Sequence, residues 1–319
     1  MSCAGLIYGP MVHHIDHVAV LCCLLNIPLI VTDEHVAHLM QLYYPECQVL
    51  HWDYLQVAAL LVENFETIFC SLPRLMFDDA FFLMQTLQGK HVKTIWMPHG
   101  NSDKENLAPL CNETTALVYG KKMANTFLNK PQAPHPIFMG NFRQLYWRQK
   151  VSYPLPFNNV ILYAPTWNDF ENSTSFFEAT SHLIHNLPKE MTLVIKPHPN
   201  LPPFDCEEKP NLYLLKDFPP IYPLLERTSI YIGDASSIGY DFLAFNRPMF
   251  FLNQNRKPTH LMRCGITIDP TDYGKIYEIL AHHLPNDRAF SKIREEMYAD
   301  TFGKEQPWET IQKEIFSKL

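Results

Sequence analysis

The sequence predicts an α/β protein built from two doubly wound, Rossmann-like domains that face a cleft. Short apolar runs alternate with amphipathic segments along the 319 residues, and this βα alternation is typical of parallel sheets covered by helices. A Pro-rich passage over residues 151–157 interrupts the alternation near the middle of the chain. Beyond it, one strand ends in Gly233-Asp234-Ala235-Ser236-Ser237 immediately before a helical pattern, as at the phosphate sites of doubly wound domains.

The first half carries apolar runs of strand length, separated by segments of helical periodicity. The predicted strands are Gly5–Tyr8, Leu29–Val31, Gln48–His51, Thr67–Cys70, Thr94–Met97, Ala116–Tyr119 and Ile137–Met139. The predicted helices are His14–Leu25, Val36–Leu42, Leu55–Glu63, Asp78–Gln88 and Lys121–Leu128.

The second half repeats this pattern. The predicted strands are Val160–Tyr163, Thr192–Lys196, Leu212–Leu215, Ile230–Ile232, Met249–Leu252 and Gly265–Ile268. The predicted helices are Ser175–Asn186, Tyr222–Arg227, Ser236–Phe245, Tyr273–His283 and Ser291–Tyr298. We place the domain boundary at the Pro-rich passage, which gives domains over 1–150 and 151–305. A last helix over 306–319 is expected to pack back on the first domain.

Composition narrows the class of partner. Hydrophobic residues make up 47% and charged residues 18% of the chain, which excludes disorder. The net charge of -7 argues against nucleic acid and favours a small-molecule ligand. The eight cysteines form no C-x-x-C pair, which favours a reducing cytoplasm and buried thiols over zinc or disulfides. The longest apolar run, Val18–Val31, is too short to cross a bilayer, so we expect a soluble, cytoplasmic protein.

A local basic group is the candidate for peripheral contact with the inner face of a membrane, although scattered Lys and Arg residues are more often solvated surface. Its members are Lys121, Lys122, Arg143, Arg148 and Lys150.

An anion site is predicted where the strand before Asp234 gives way to a helix. Free backbone N–H groups, the positive end of the helix dipole and the hydroxyls of Ser236 and Ser237 all favour a phosphate there. A carboxylate beside a phosphate repels it, so Asp234 is expected to orient a neighbouring donor or to cap the helix. Asp241, one turn into the helix, is a candidate for hydroxyl contacts, with a solvated helix carboxylate equally expected.

Two histidines follow strands, one in each predicted domain. His99 lies in Pro98-His99-Gly100, and His198 lies in Lys196-Pro197-His198-Pro199. A neutral imidazole accepts a proton from a hydroxyl, and a protonated one pairs with a diphosphate. The competing interpretation is that each is a loop histidine bonded to backbone carbonyls. A third strand ends in Ala164-Pro165-Thr166-Trp167-Asn168-Asp169, where Thr166 is a candidate either to cap the following segment or to donate a hydrogen bond to a phosphate.

In this serial order the four motifs resemble those of the CDP-glycerol glycerophosphotransferase family, the enzymes that prime or polymerise teichoic acids. The resemblance covers mainly residues 94–255 and includes Lys104 and Asn246-Arg247-Pro248. It implies a GT-B-like fold, a first domain on the acceptor side and a second domain that binds the nucleotide donor. It implies no obligatory metal and no cofactor beyond the donor substrate.

The resemblance also assigns roles to individual residues. It makes His99 a general base and gives His198 a role at the donor diphosphate. Ser236 and Ser237 correspond to the phosphate contacts of the family, and Asp241 to the acidic residue that follows them. The chain departs from the family at Ala235, where an aromatic residue is usual, and at Lys196, which stands where the family usually has an arginine near the histidine.

The expected activity is transfer of a glycerol-phosphate or similar polyol-phosphate group from a CDP-activated donor to a hydroxyl, in the synthesis of a cell-envelope glycopolymer. Catalysis is assigned to His99 and His198, and donor binding to Lys196, Thr166, Ser236, Ser237 and Asp241. His14 and Asp16 are expected on the acceptor side, where the acceptor is a lipid-linked glycan, a free sugar or a polyol phosphate.

Three other classes stay open. A glycosyltransferase or an epimerase that acts on a nucleotide sugar uses the same diphosphate site. A non-catalytic nucleotide-binding protein is the second alternative. The third is a metal-dependent hydrolase, because His13 and His17 share one predicted helical face and with Asp16 could bind zinc or iron, although the pattern lacks a glutamate base.

Overall fold

The chain forms two compact units in a computed structural model that describes residues 2–103, 110, 112–150, 153–168, 171–206 and 208–319. Unit 1 comprises residues 1–101, 106–149 and 300–319. Unit 2 comprises residues 102–105 and 150–299. The sequence analysis expected divisions at 150/151 and 305/306. The second division between the compact units falls at 299/300, within the helix Ser291–Phe302.

Unit 1 holds a seven-stranded sheet in the order β3-β2-β1-β4-β5-β6-β7, with every neighbouring pair parallel. Its strands are β1 (Cys3–Ile7), β2 (Leu29–Val31), β3 (Val49–His51), β4 (Thr67–Cys70), β5 (Lys93–Trp96), β6 (Thr115–Val118) and β7 (His135–Phe138). Its helices are α1 (Ile15–Leu25), α2 (Glu34–Tyr43), α3 (Val57–Asn64), α4 (Asp78–Gln88), α5 (Lys121–Ala124) and α6 (Phe142–Arg148).

Unit 2 holds a six-stranded parallel sheet in the order β10-β9-β8-β11-β12-β13. Its strands are β8 (Val160–Ala164), β9 (Leu193–Ile195), β10 (Leu212–Leu214), β11 (Thr228–Gly233), β12 (Met249–Leu252) and β13 (Ile266–Ile268). Its helices are α7 (Phe176–His185), α8 (Ile221–Arg227), α9 (Ile238–Phe242), α10 (Ile276–His283) and α11 (Ser291–Phe302). The chain ends with α12 (Trp308–Ser317), which belongs to unit 1, where Trp308 Nε1 donates to the carbonyl of Leu24 (3.0 Å).

The central strands are continuous apolar runs because helices cover both faces of each sheet. In unit 1, Ile68 and Cys70 on β4 pack with Leu61 and Phe81 from α3 and α4. In unit 2, Tyr163 and Ile195 pack with Leu183 from α7. Within each sheet, the strand order runs outward in both directions from an inner pair, which is β1 and β4 in unit 1 and β8 and β11 in unit 2. The predicted α/β fold of two doubly wound domains is therefore confirmed.

The one described α-helix that the sequence analysis missed is α6, which contains Arg143 and Arg148 of the candidate basic group. Arg143 is wrongly placed in that group, because its side chain is buried and paired with Asp16 (3.0 Å). Arg148 is exposed and lies 3.5 Å from Glu305. Among the described residues, no helix combines the length and the apolar character needed to cross a membrane.

Candidate functional site

The chemistry-bearing residues of unit 2 meet at one edge of its sheet. β8 lies between β9 and β11, and the three strands end level with one another, since Tyr163 is in register with Ile195 and Ala164 with Gly233. The chain turns to opposite faces of the sheet on either side of β8. Doubly wound domains bind ligands at the carboxyl ends of strands at such a topological switch point.

Asp234 joins the loops at this edge. Its carboxylate is 1% exposed and accepts hydrogen bonds from the backbone N–H of Thr166 and of Ser175, each at 2.8 Å. The Ser175 hydroxyl donates a third bond, also at 2.8 Å. Ser175 is the residue directly before α7, so Asp234 accepts hydrogen bonds at the start of α7. The sequence analysis had considered Asp234 as a cap of the helix that follows it in the chain. The predicted orienting role is therefore visible in the geometry.

Gly233 ends β11 where a side chain does not fit. A Cβ atom on this residue would lie 2.1 Å from the Tyr231 hydroxyl oxygen, because the Tyr231 ring folds back over the same face of the strand. A glycine at this position therefore leaves room for the Tyr231 ring.

The two serines begin a shorter helix than predicted. Ser236 is 5% exposed and Ser237 is half-buried. The helix α9 spans only Ile238–Phe242 and tightens into a 3₁₀ turn over Leu243–Phe245, so its dipole is weaker than that of the predicted ten-residue helix. The predicted phosphate site therefore relies less on the helix dipole than the sequence analysis expected.

His198 is held in one tautomer by the backbone. Its Nδ1 accepts the N–H of Asn200 (3.1 Å), which in the neutral ring leaves the proton on Nε2. The ring is half-buried and lies 6.5 Å from the Trp167 ring, measured between centroids. The Nε2–H group is thus a fixed donor at the edge where β9 ends, which suits an anionic oxygen.

Lys196, Thr166 and Asp241 differ in their access to solvent. Lys196 is half-buried, and its N–H donates to Tyr163 (2.9 Å), so it begins level with the strand ends. Thr166 is 4% exposed. Asp241 is 3% exposed and accepts a bond from the Tyr222 hydroxyl (3.1 Å), so its carboxylate lies in the interior of unit 2. Their roles at the donor stay predictions.

Unit 1 also presents polar residues at one edge of its sheet. After β1, Gly9 adopts a φ of +77°, and its N–H donates to the Thr32 hydroxyl (2.8 Å). A 3₁₀ turn over Val12–His14 follows. His14 is buried and His13 half-buried, and their ring centroids lie 4.4 Å apart.

His99, in the segment that follows β5, lies beside His13 and His14. Its ring centroid lies 4.5 Å from that of His14 and 5.4 Å from that of His13. Surrounding protein lowers the pKa of His99 by desolvation, while the exposed part of the ring limits the size of this shift. The lowered pKa favours the neutral imidazole at neutral pH, and a neutral ring has a lone pair that can accept a proton. The structure brings two predicted residues, His99 and His14, together.

Asp16 lies apart from this cluster. Its carboxylate is 4% exposed and accepts bonds from the Tyr44 hydroxyl (2.7 Å), Trp147 Nε1 (2.9 Å) and Arg143. These contacts tie α1, the end of α2 and α6 together. The acceptor role predicted for Asp16 remains a prediction, now for a residue that stabilises the interior of unit 1.

The metal ligands considered from the sequence were His13, Asp16 and His17, and the structure does not bring these three residues together as one set of ligands. His17 is buried and its Nδ1 lies 2.5 Å from the Tyr119 hydroxyl. Burial, and then the positive charge of Arg143, lowers the pKa of His17 well below its ordinary value. The chain turns within the 3₁₀ segment before α1 begins, so His13 does not share a helical face with His17.

Sequence reasoning missed Ser71, Asn101 and Ser175. Ser71 follows β4, between the ends of β1 and β5, and a small polar residue directly after an apolar strand was its only signal. Ser175 was assigned only as the start of a helix. Lys104 and Asp169, which were quoted within motifs, lie outside the described residues.

Comparison with known proteins adds an independent finding for unit 2. Residues 145–263 match the family described as CDP-Glycerol:Poly(glycerophosphate) glycerophosphotransferase. The predicted resemblance is confirmed. The matched segment is less than half of the chain and contains Thr166, Lys196, His198, Ser236, Ser237 and Asp241.

A curated relative gives the same indication over a similar length. The teichoic acid glycerol-phosphate primase of Bacillus subtilis (strain 168) is 32% identical over 101 residues, which are 31% of this chain. This chain covers only 26% of the length of that relative.

Solved structures resemble nearly the whole chain. A UDP-GlcNAc 2-epimerase from Neisseria meningitidis, bound to UDP-GlcNAc, has a TM-score of 0.57 at 14% identity, with 99% of each chain covered. The putative UDP-N-acetylglucosamine 2-epimerase from Listeria monocytogenes has a TM-score of 0.62 at 12% identity, covering 99% of this chain and 94% of that one. The wall teichoic acid polymerase TagF has a TM-score of 0.57 at 12% identity, covering 100% of this chain and 90% of that one. At such identities the likeness concerns the fold, and it confirms the GT-B-like class.

Replacing Asp234 with alanine should destabilise the protein by at least about 3 kcal/mol, because three buried donors lose their acceptor. Urea unfolding followed by circular dichroism measures this loss. The matched control is Asp205→Ala, which removes an exposed carboxylate paired with Lys216 and should change stability by less than about 0.5 kcal/mol. Equal stability of the two variants would contradict the central role of Asp234.

Proposed function

We propose that the protein is a transferase that moves glycerol phosphate, or a similar polyol phosphate, from a CDP-activated donor to a hydroxyl acceptor in cell-envelope glycopolymer synthesis. The observation that carries the proposal is the convergence of the family-matched loops at the switch point of unit 2. There Lys196 and His198 follow β9, Thr166 follows β8, and Ser236 and Ser237 follow β11.

The donor diphosphate fits the chemistry of this edge. His198 offers a fixed Nε2–H donor, Lys196 offers a positive charge, and the two serines offer hydroxyls. Asp234 is unsuited to contact the anion, since its oxygens already accept three hydrogen bonds. It instead holds the loop after β8 in place relative to the serines.

Transfer then proceeds by attack of the acceptor hydroxyl on the phosphorus that bears the glycerol group. The new P–O bond forms as the bond to CMP breaks, and CMP leaves with the electron pair and its negative charge. The hydroxyl proton passes to the neutral imidazole of His99, which has a lone pair to accept it. Lys196, His198 and the serines stabilise the leaving CMP, and no obligatory metal is required.

The acceptor in this proposal is a lipid-linked glycan, and the protein acts in the cytoplasm in peripheral contact with a membrane. The seven cysteines in the described part of the chain are all free thiols, which suits a reducing compartment. The predicted basic group is a weaker candidate for this contact, because one of its members, Arg143, is buried.

An apolar face on unit 1 is the better candidate for the membrane contact. It consists of Leu75, Met76, Phe82, Leu83 and Leu87, on α4 and the turn before it. These side chains are 51–71% exposed, and exposed apolar groups of this size mark interaction surfaces. A lipid surface accepts such side chains and would bring a lipid-linked acceptor to the same protein, so we assign this face to lipid.

Calorimetry with CDP, UDP, GDP and ADP, with and without Mg²⁺, tests the donor assignment. We expect CDP to bind best, and His198→Ala to weaken CDP binding by about 1–3 kcal/mol, the cost of losing a charged hydrogen-bond partner. His185→Ala, an exposed histidine of α7, is the control and should bind CDP as the wild type does.

Unchanged CDP affinity in His198→Ala would remove His198 from the donor site. A preference for UDP or GDP would overturn the CDP donor and favour sugar transfer or epimerisation, which the stereochemistry of the product separates. Binding of none of the four nucleotides would overturn the proposed donor class.

Replacing His99 with alanine should slow CMP release from CDP-glycerol by about 10²–10⁴-fold, the usual effect of removing a general base. The affinity for CDP should not change, because the donor loops belong to unit 2. A membrane fraction supplies acceptors in this assay. His91→Ala, an exposed histidine of the same unit, is the control, and an equal loss in both variants would argue against His99 as the base.

The double variant Phe82→Ser and Leu87→Ser should bind lipid vesicles at least about tenfold more weakly, because each apolar side chain contributes about 1.5–3 kcal/mol when buried. Co-sedimentation with phosphatidylglycerol vesicles measures the binding. Phe177→Ser removes a similarly exposed aromatic ring from unit 2 and should bind as the wild type does. Equal binding by all three proteins would exclude the apolar face as the contact.

A further inference from the structure

Three histidines of unit 1 converge where β1 and β5 end. His13, His14 and His99 each offer an imidazole nitrogen, and these three atoms all lie within 4.8 Å of one another. We propose that this histidine cluster is a binding site for a transition-metal ion of the zinc class, and that an ion bound there blocks proton acceptance by His99. The metal-binding part of the proposal does not depend on the proposed transferase activity.

The separations are close to those that a metal requires. Zinc binds imidazole nitrogens at about 2.0–2.1 Å in a tetrahedron, which places two ligand nitrogens about 3.4 Å apart. The separations between the ligand nitrogens therefore need to shorten by at most about 1.4 Å. His99 is exposed, so its side chain can rotate to make this adjustment while the buried His14 stays in place.

The backbone holds two of the three ligands rigidly. Gly9 turns the chain after β1 and is tied to the Thr32 hydroxyl, and the N–H of His14 donates to the carbonyl of Met11 (2.9 Å). The third ligand follows Met97, whose N–H donates to the carbonyl of Cys70 at the end of β4 (3.0 Å). Little conformational entropy remains to be lost at His13 and His14 when an ion binds.

The donor set selects the class of metal. All three ligands are imidazoles, which suit zinc, cobalt, nickel and copper, whereas calcium and magnesium require oxygen ligands. Three protein ligands leave one tetrahedral position for water or for an oxygen of a ligand. The exposure of His99 leaves this position open to solvent.

Two buried polar groups at the same edge give independent support. Ser71 Oγ and Asn101 Nδ2 belong to residues that are 2% and 3% exposed, and neither atom has a hydrogen-bond partner among the described residues. Ser71 follows β4, which lies between β1 and β5, and Asn101 follows His99 by two residues. A buried polar group without a partner costs about 1–3 kcal/mol, so we expect a bound ligand or its water to supply one.

Occupancy has a direct chemical consequence. A metal ion takes the imidazole lone pair that a general base uses for the proton, so His99 cannot serve both at once. The site is thus inhibitory for chemistry at His99. It differs from the metal set considered from the sequence, because Asp16 and His17 take no part.

Metal titration of the whole chain, stripped with a chelator, tests the proposal. We expect one equivalent of Zn²⁺ to bind by calorimetry, and Co²⁺ to give the visible absorption of a tetrahedral site without sulfur charge-transfer bands. His14→Ala and His13→Ala should each weaken Zn²⁺ binding at least tenfold. The matched control replaces both His282 and His283, an adjacent pair on α10 with ring centroids 4.8 Å apart, and should bind as the wild type does.

Failure of the wild type to bind one equivalent of Zn²⁺ would overturn the proposal, and so would loss of binding in the His282 and His283 variant alone. His13→Ala guards against misfolding of the buried His14→Ala variant, and circular dichroism checks both. CDP affinity, which depends on unit 2, separates this result from the test of the proposed function.

Discussion

The buried carboxylate of Asp234 is the interaction on which the candidate donor site depends. Three hydrogen bonds join it to the loop after β8 and to the start of α7, while its own backbone continues β11. A charge this deeply buried is stable only with all its partners in place, so the loops at the end of the sheet are fixed relative to one another. Thr166 is held directly by this arrangement, through its backbone N–H.

Unit 1 contains a comparable carboxylate with a different effect. Asp16 pairs with Arg143 and accepts bonds from Tyr44 and Trp147, which joins α1, α2 and α6 behind the strand edge. Two members of the histidine cluster, His13 and His14, lie in the 3₁₀ turn directly before α1, and Asp16 lies in the first turn of that helix. Burial of an ion pair costs desolvation, and its partners here offset that cost by hydrogen bonding. The rigid helix then holds the turn that carries His13 and His14.

Different kinds of observation support the residue assignments in the two units. The family match and the curated relative cover short stretches of the chain, and the match includes every donor residue proposed in unit 2. In unit 1, the role of His99 rests on the resemblance of its motif and on the side-chain geometry of the histidine cluster, and residue 99 lies outside the matched segment.

Local pattern determined much of this protein from sequence alone. The strand runs, the βα alternation and the motifs after β5, β8, β9 and β11 were all readable, because apolar runs and small polar residues at strand ends are local signals. Strand order, the burial of Arg143, the Asp234 hydrogen bonds and the meeting of His99 with His13 and His14 came only from the tertiary structure. Each of these joins residues far apart in the chain, and the free energy of such a contact depends on which groups the fold brings together, which no local pattern encodes.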